Sequence, residues 1–137
     1  ANFAWRNLSK DNPLLDLKYD GKKLTKKSLA TLMIYAPYIT WLNLSSCDFS
    51  SRELNVLSKM ENLTRLNLQK SNVKTIDLKG LVSLTHLEIL NLHSTQVNKE
   101  IFQILKEIPS LKRVFLWNTK IPLKTVEENK TTLPFLE

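Results

Sequence analysis

Few residues in this chain have a type and spacing that could do covalent, acid–base or metal chemistry. The two histidines, His86 and His93, stand seven apart, one entering a short apolar segment and the other just past it. A metal site needs several donors converging on one point, and this pair within one strand does not converge. Cys47 is the single cysteine, which excludes an internal disulfide and any cysteine-based zinc site. It reads as a buried small residue, with a reactive thiol as the alternative. Glu127 and Glu128 are neighbours on an expected helix and cannot face one another as an acid–base pair. Only two glycines occur in 137 residues, too few for phosphate loops or dinucleotide fingerprints, which need glycine's backbone freedom. No serine, histidine and acid fall into register as a triad. The expectation is a non-enzymatic chain with no cofactor and no metal.

Binding chemistry is better supplied. Hydrophobic residues make up 42% and charged residues 24%, a composition that fits neither disorder nor a membrane-embedded chain. No apolar run approaches the ~20 residues of a transmembrane helix, and no secretory signal pattern opens the sequence. The formal net charge is +7, and 16 of the 20 cationic residues are lysine. Such a balance suits nucleic acid, an anionic membrane or an acidic partner. The lysines are spread along the whole length, however, and the one dense cluster, Lys22, Lys23, Lys26 and Lys27, is not interleaved with aromatics. They are read as a solvating surface, and a nucleic-acid partner is not expected.

The elements that must position the remaining residues emerge from internal self-similarity. Four segments, Ile39–Phe49, Leu63–Val73, Leu87–Val97 and Leu111–Ile121, align without gaps, placing Leu42, Leu66, Leu90 and Val114 at intervals of 24. A weaker copy over Leu14–Leu24 puts Leu17 25 residues before Leu42. The shared wording resembles the leucine-rich repeat pattern. Within each L-x-L the apolar side chains alternate, as in a short strand with one buried face. Stacked copies would set these strands side by side, and no single repeat could bury its apolar face alone. The fold class expected is α/β: a leucine-rich repeat solenoid of about five repeats, with a parallel sheet on the concave face and helices and turns on the convex face.

Five residues past the second leucine of each copy stand Lys22, Cys47, Ser71, Thr95 and Thr119. Small polar groups there are expected to bond the turn backbone of adjacent repeats. Lys22 is too long for that and marks an irregular first repeat. Ser50 and Glu53 have capping-box spacing before Leu54, Leu57 and Met60. Asn98 is expected to cap a helix over 99–108, with similar helices over 28–35 after Thr25 and over 123–129 after Pro122. The stretch from Lys74 to Gly80 is expected to form only a turn or short 3₁₀ segment. Residues 1–13 are read as an N-terminal cap, with Phe3 and Trp5 folded over the first repeat, and 14–137 as the repeats. Leu133-Pro-Phe-Leu136 echoes Ile108-Pro-Ser-Leu111, so either another strand should follow or Phe135 and Leu136 close the core. The whole, 1–137, is expected to be a single domain cut from a longer protein.

Register then identifies the concave face. Asp16, Trp41, Arg65, Ile89 and Arg113 precede the second apolar residue of each copy; Lys18, Asn43, Asn67, Asn91 and Phe115 follow it; Asp20, Ser45, Gln69, His93 and Trp117 come two further on. Tryptophan and arginine on an open sheet match the composition of protein-binding hot spots. The expected protein-binding set is Trp41, Arg65, Ile89, His93, Arg113, Phe115 and Trp117, with Asn43, Asn67 and Asn91. The asparagines are expected to bond along their column or to offer amides to a ligand. Against that, Trp41 could pack beneath the N-terminal segment, and Phe115 with Trp117 against further structure. Sequons begin at Asn7, Asn43, Asn62 and Asn129, where the repeat's own wording also supplies them.

The turns Ser94-Thr-Gln-Val97-Asn-Lys-Glu100 and Leu116-Trp-Asn-Thr-Lys-Ile121, with Leu133-Pro-Phe-Leu136 after them, resemble the bacterial repeat type G-T-x-V-T-D-x-G-L. The resemblance covers residues 12–137. In that group such repeats accompany a cytochrome c-like domain and membrane helices in larger envelope proteins, which implies a periplasmic or envelope location and a membrane-attached parent. The chain departs from the pattern in lacking glycine before its Ser/Thr turn positions, and it has no haem-attachment motif. Three functions follow in order: a monomeric module binding a protein or peptide on the concave sheet; an assembly segment packing on other domains of a larger envelope protein; and, least favoured, an anion or nucleic-acid binder.

Overall fold

The computed structural model describes residues 3–9 and 12–137; of the expected N-terminal cap, residues 1, 2, 10 and 11 lie outside the described residues. Six strands form one sheet in chain order: β1 (Phe3–Ser9), β2 (Asn12–Tyr19), β3 (Ile39–Asn43), β4 (Arg65–Asn67), β5 (Ile89–Asn91) and β6 (Arg113–Phe115). β1 runs antiparallel to β2, and every later neighbour pair is parallel. Leu42 pairs with Leu66, Leu66 with Leu90 and Leu90 with Val114, the interval of 24 read from the sequence. β2 joins this register with Leu17 against Leu42. Those leucines point to the covered face and are buried with Leu44, Leu68, Leu92 and Leu116.

The chain turns the same way after each of the strands β3–β6, because one residue there is left-handed: Ser46, Lys70, Ser94 and Asn118 have φ between 54° and 58°. At three of these the amide donates across to the next turn, from Ser46 to the Gln69 carbonyl, Lys70 to His93 and Ser94 to Trp117, at 2.8 to 2.9 Å. The hydroxyls that follow behave differently from expectation. Ser71, Thr95 and Thr119 donate to the carbonyls of Leu68, Leu92 and Leu116 at 2.6, 2.7 and 3.0 Å, within their own repeat and not to the adjacent one. The reversal folds each hydroxyl back under the carbonyl three residues earlier, closer than a neighbouring strand ~4.8 Å away. Cys47 holds the same position, fully buried, its Sγ 3.6 Å from the Asp48 carbonyl. Lys22 is exposed, and its carbonyl accepts from the Asp48 amide at 2.8 Å.

The connecting segments cover the other face. α1 (Lys26–Tyr35) starts two residues earlier than expected, capped by Thr25 Oγ1 accepting from the Ser28 amide at 3.1 Å. α2 (Ser51–Leu54) carries the capping box in full and continues as a 3₁₀ helix over Asn55–Lys59, burying Leu54, Leu57 and Met60. The third connection is a 3₁₀ helix over Thr75–Ser83, nine residues and so longer than the short segment expected. Its buried residues, Thr75, Leu78, Leu81 and Leu84, recur every three positions, the period of a 3₁₀ helix and not of an α-helix. The fourth helix is shorter than expected: α3 spans Ile101–Lys106. Asn98 Oδ1 accepts the Glu100 amide at 3.1 Å, as a capping residue does, and Thr75 Oγ1 bonds its amide and side chain at 2.9 and 3.0 Å; regular helix begins only after this turn. α4 (Leu123–Asn129) follows Pro122 as the sequence predicts.

Both ends of the sheet are closed over the core. On β1, Phe3 packs on Tyr19 and Trp5 packs edge-on against Tyr35, ring centroids 4.8 Å apart in each case. At the other end Leu133 and Leu136 are buried, and residues 135–137 pair with β6: Val114 donates to Phe135 and Glu137 to Val114, at 2.9 and 2.8 Å. Leu136 is buried and pairs in parallel with Val114, continuing the sense of the sheet. Among the described residues no helix is long and apolar enough to cross a membrane.

Candidate functional site

The helices leave one face of the sheet uncovered, and the side chains that alternate with the buried leucines project from it. The strand pairing sets Asp16, Trp41, Arg65, Ile89 and Arg113 in one row and Lys18, Asn43, Asn67, Asn91 and Phe115 in the next. Seven of the ten residues expected to bind line a shallow depression of about 230 Å³: Trp41, Asn43, Arg65, Asn67, Ile89, Asn91 and Phe115. Arg113, His93 and Trp117 stand outside it. His93 Nδ1 lies 3.1 Å from the Trp117 carbonyl, and the Trp117 ring, 65% exposed, borders a second hollow of about 280 Å³ with Ile121, Leu123 and Val126.

The aromatic rings on this face are already engaged by arginine. The Arg65 guanidinium sits 4.1 Å from the centre of the Trp41 ring, and Arg6 approaches the same ring at 5.8 Å. Arg113 lies 5.0 Å from the Phe115 ring. These are cation–π distances, and they hold the long side chains against the sheet. Trp41 is thus flanked by the N-terminal segment through Arg6, as one of the two sequence readings had it. Arg6 also bonds the Asp16 carboxylate at 2.7 Å, and Arg113 bonds that of Glu137 at 3.0 Å. Sequence reasoning missed Arg6, which lies before the repeats and which only the strand alternation of residues 3–7 could have put on this face, and missed Glu137, although it follows Arg113 by the repeat interval of 24.

The asparagine column does not bond along itself as expected. Oδ1 of Asn43, Asn67 and Asn91 accepts from the amides of Ser45, Gln69 and His93, two residues on, at 2.9, 3.0 and 3.0 Å. Each asparagine thereby shapes the exit from its own strand, the familiar local habit of this side chain. Asn91 Nδ2 reaches Gln69 Oε1 at 3.3 Å, and the Nδ2 groups of Asn43 and Asn67 have no protein partner among the described residues.

Groups able to react lie elsewhere. Burial, with the carboxylates of Asp48 and Glu53 adding to it, pushes the Cys47 thiol from 9.0 up to about 11, away from the reactive thiolate. His86 Nδ1 is 3.1 Å from the Glu61 carbonyl. Among the described residues no three His, Cys, Asp or Glu side chains gather as metal ligands would.

No protein-family model matches the sequence, and no curated protein matches it. Among solved structures, the fold is similar to a chain in the crystal structure of the mouse RP105/MD-1 complex, with a TM-score of 0.57 and 19% identity. The likeness covers 88% of this chain and 20% of that one, so the present chain spans about a fifth of that chain's length. At such identity it bears on fold alone, and the fold it supports is leucine-rich-repeat-like.

Proposed function

We propose that this chain is a non-enzymatic interaction module, a solenoid of about five leucine-rich repeats whose concave face is the uncovered side of the sheet and docks a protein or peptide. One observation carries the proposal. Trp41, Arg65, Ile89 and Phe115 converge on a single depression of about 230 Å³, built on strands whose opposite faces are locked in the core. Aromatic and arginine side chains on a rigid, partly desolvated floor are what binding hot spots are made of. The leucine-rich-repeat-like fold is consistent with an interaction module in general, and the structural neighbour belongs, by its description, to a protein complex.

A second reading has its own support. Trp117 and Leu123, 65% and 72% exposed, flank the hollow of about 280 Å³ at the far end of the sheet. That apolar end suits an assembly segment packing on other parts of a larger protein, for which the turn wording suggests the bacterial envelope. One experiment separates the two. The immobilised chain is used to capture proteins from cell extract beside an Arg65→Ala/Ile89→Ala variant and a Trp117→Ala/Leu123→Ala variant. A protein retained by the wild type and lost only with the first variant supports docking on the open face. Loss only with the second supports assembly through the far end.

A further inference from the structure

We propose that the occupant of the open face is an acidic peptide segment, lying extended across β3–β5 with a carboxylate over Arg65 and an apolar side chain on Ile89. This rests on the docking face proposed above and names the chemistry it selects. The local turn bonds decide that chemistry. Oδ1 of Asn43 and Asn67 already accepts from the amides of Ser45 and Gln69, whereas their Nδ2 donors have no partner among the described residues and face a ligand. Two donor groups therefore stand on adjacent strands, ~4.8 Å apart, on the floor that also holds Arg65.

Charge points the same way. The flanking arginines are neutralised within the fold, Arg6 by Asp16 and Arg113 by Glu137. Arg65 has no carboxylate partner among the described residues and is the unpaired arginine of this row. Its guanidinium is fixed over Trp41 at 4.1 Å, which leaves its N–H edge free for a carboxylate in the paired geometry that arginine favours. These donors and the Arg65 charge favour a ligand rich in acceptors, and Asp16, the carboxylate that also lines the depression, is bonded to Arg6. Single-stranded nucleic acid fits less well, because it binds through bases stacked on bare aromatic faces. Here Trp41 carries Arg65, and Phe115 carries Arg113.

The test uses fluorescein-labelled peptides of equal length, alternating leucine with glutamate, glutamine or lysine, measured by anisotropy at near-physiological salt. The glutamate peptide is expected to bind about tenfold or more tightly than the glutamine peptide. Asn67→Asp is the informative variant: its carboxylate still accepts from the Gln69 amide, while the outward donor becomes an anion. It should fold as the wild type does by thermal unfolding, and lose the glutamate peptide by about tenfold or more, the cost of a charge-assisted hydrogen bond. Replacing Lys22, Lys23, Lys26 and Lys27 together by glutamine, away from the depression, should change binding by less than about threefold. Equal losses from the lysine set and from Asn67→Asp would mean diffuse attraction to a basic chain and overturn the proposal. Glutamine or lysine peptides binding as well, and losing affinity with Arg65→Ala/Ile89→Ala, would leave the docking face standing and remove its acidic preference. Oligothymidylate displacing the glutamate peptide from the same residues would replace the peptide by nucleic acid. Binding of none of the peptides overturns the acidic-peptide proposal, while the docking face itself stands or falls by the capture experiment.

Discussion

Replacing Ser46 and Lys70 by glycine should stabilise this protein, although neither substitution adds a contact. Both residues sit in the left-handed region, at φ 58° and 57°, with side chains exposed to solvent. A Cβ in that conformation meets its own backbone at a cost of ~1–2 kcal/mol. Glycine removes that cost but gives the unfolded chain more freedom, worth ~0.4–1 kcal/mol against folding. The difference is a gain of about 0.5 kcal/mol at each site, about 1 kcal/mol for the pair, and a rise in Tm of about 3–4 °C for a domain of this size. Ser46→Val should move the other way by about 1 kcal/mol or more, since a β-branched side chain tolerates a positive φ least. Ser45→Gly, one residue earlier and not left-handed, should cost ~0.5–1 kcal/mol. Differential scanning calorimetry on the four variants reads all of these signs. The reasoning fails if the glycines at 46 and 70 lower Tm while valine at 46 leaves it unchanged, because the turns would then not hold the strained conformation.

Three further outcomes follow from burial. Thr40 Oγ1 is buried without a hydrogen-bond partner, so Thr40→Val, which keeps the shape and removes the orphaned polar atom, should stabilise by ~1 kcal/mol and raise the urea midpoint at unchanged slope; a lowered midpoint would show that the hydroxyl is satisfied. Leu90 is fully buried on a central strand, and Leu90→Ala should cost ~3–4 kcal/mol in urea unfolding, a loss under ~1 kcal/mol counting against the shared core. For Cys47, the folded thiol is raised from 9.0 to about 11, so the neutral form is the one folding favours. Its stabilisation is whole below about 9 and is lost as pH rises through about 11. The urea midpoint of the wild type should fall across that window more than that of Cys47→Thr, which places there the residue found at 95 and 119; parallel curves would refute it.

Much of the fold was legible in the sequence because its decisive signal is periodic. The spacing of Leu42, Leu66, Leu90 and Val114 set the strand register, and register in turn placed Trp41, Arg65, Ile89 and Arg113 in one row. The helix-side details were less legible, since their starts depend on contacts between repeats. Asn98 accepts the Glu100 amide as a capping residue does, yet it is also tied to Thr75, 23 residues earlier, and α3 begins only at Ile101. The β-branched residues and Gly80 indicate a 3₁₀ segment but not its extent over Thr75–Ser83, where the buried period of three runs on past Gly80 to Leu81 and Leu84. On the open face, the sequence supplied the residue types but not their pairing. Glu137 follows Arg113 by 24 residues, the repeat interval itself, so that pair was within reach of register; Arg6, on the antiparallel strand before the repeats, had no such spacing.

The contrast between the two faces is itself an argument for recognition. At one register position across four strands the residues turned inward are Leu42, Leu66, Leu90 and Val114, nearly one shape repeated. Their immediate predecessors, turned outward, are Trp41, Arg65, Ile89 and Arg113. The inner residues are alike because each must pack against equivalent neighbours above and below at interior density. The sheet makes no such demand on the outer ones, for a parallel ladder is held by its backbone bonds and its covered side. A face serving only solubility would carry interchangeable lysines and glutamates, as much of the remaining surface does. This one instead spends a tryptophan, a phenylalanine and an isoleucine where water reaches them, and pins arginines over two of the rings. Ile34, Ile76 and Leu123 are more exposed than these three, so what supports the proposed docking face is not exposure but that Trp41, Ile89 and Phe115 share one depression with Arg65.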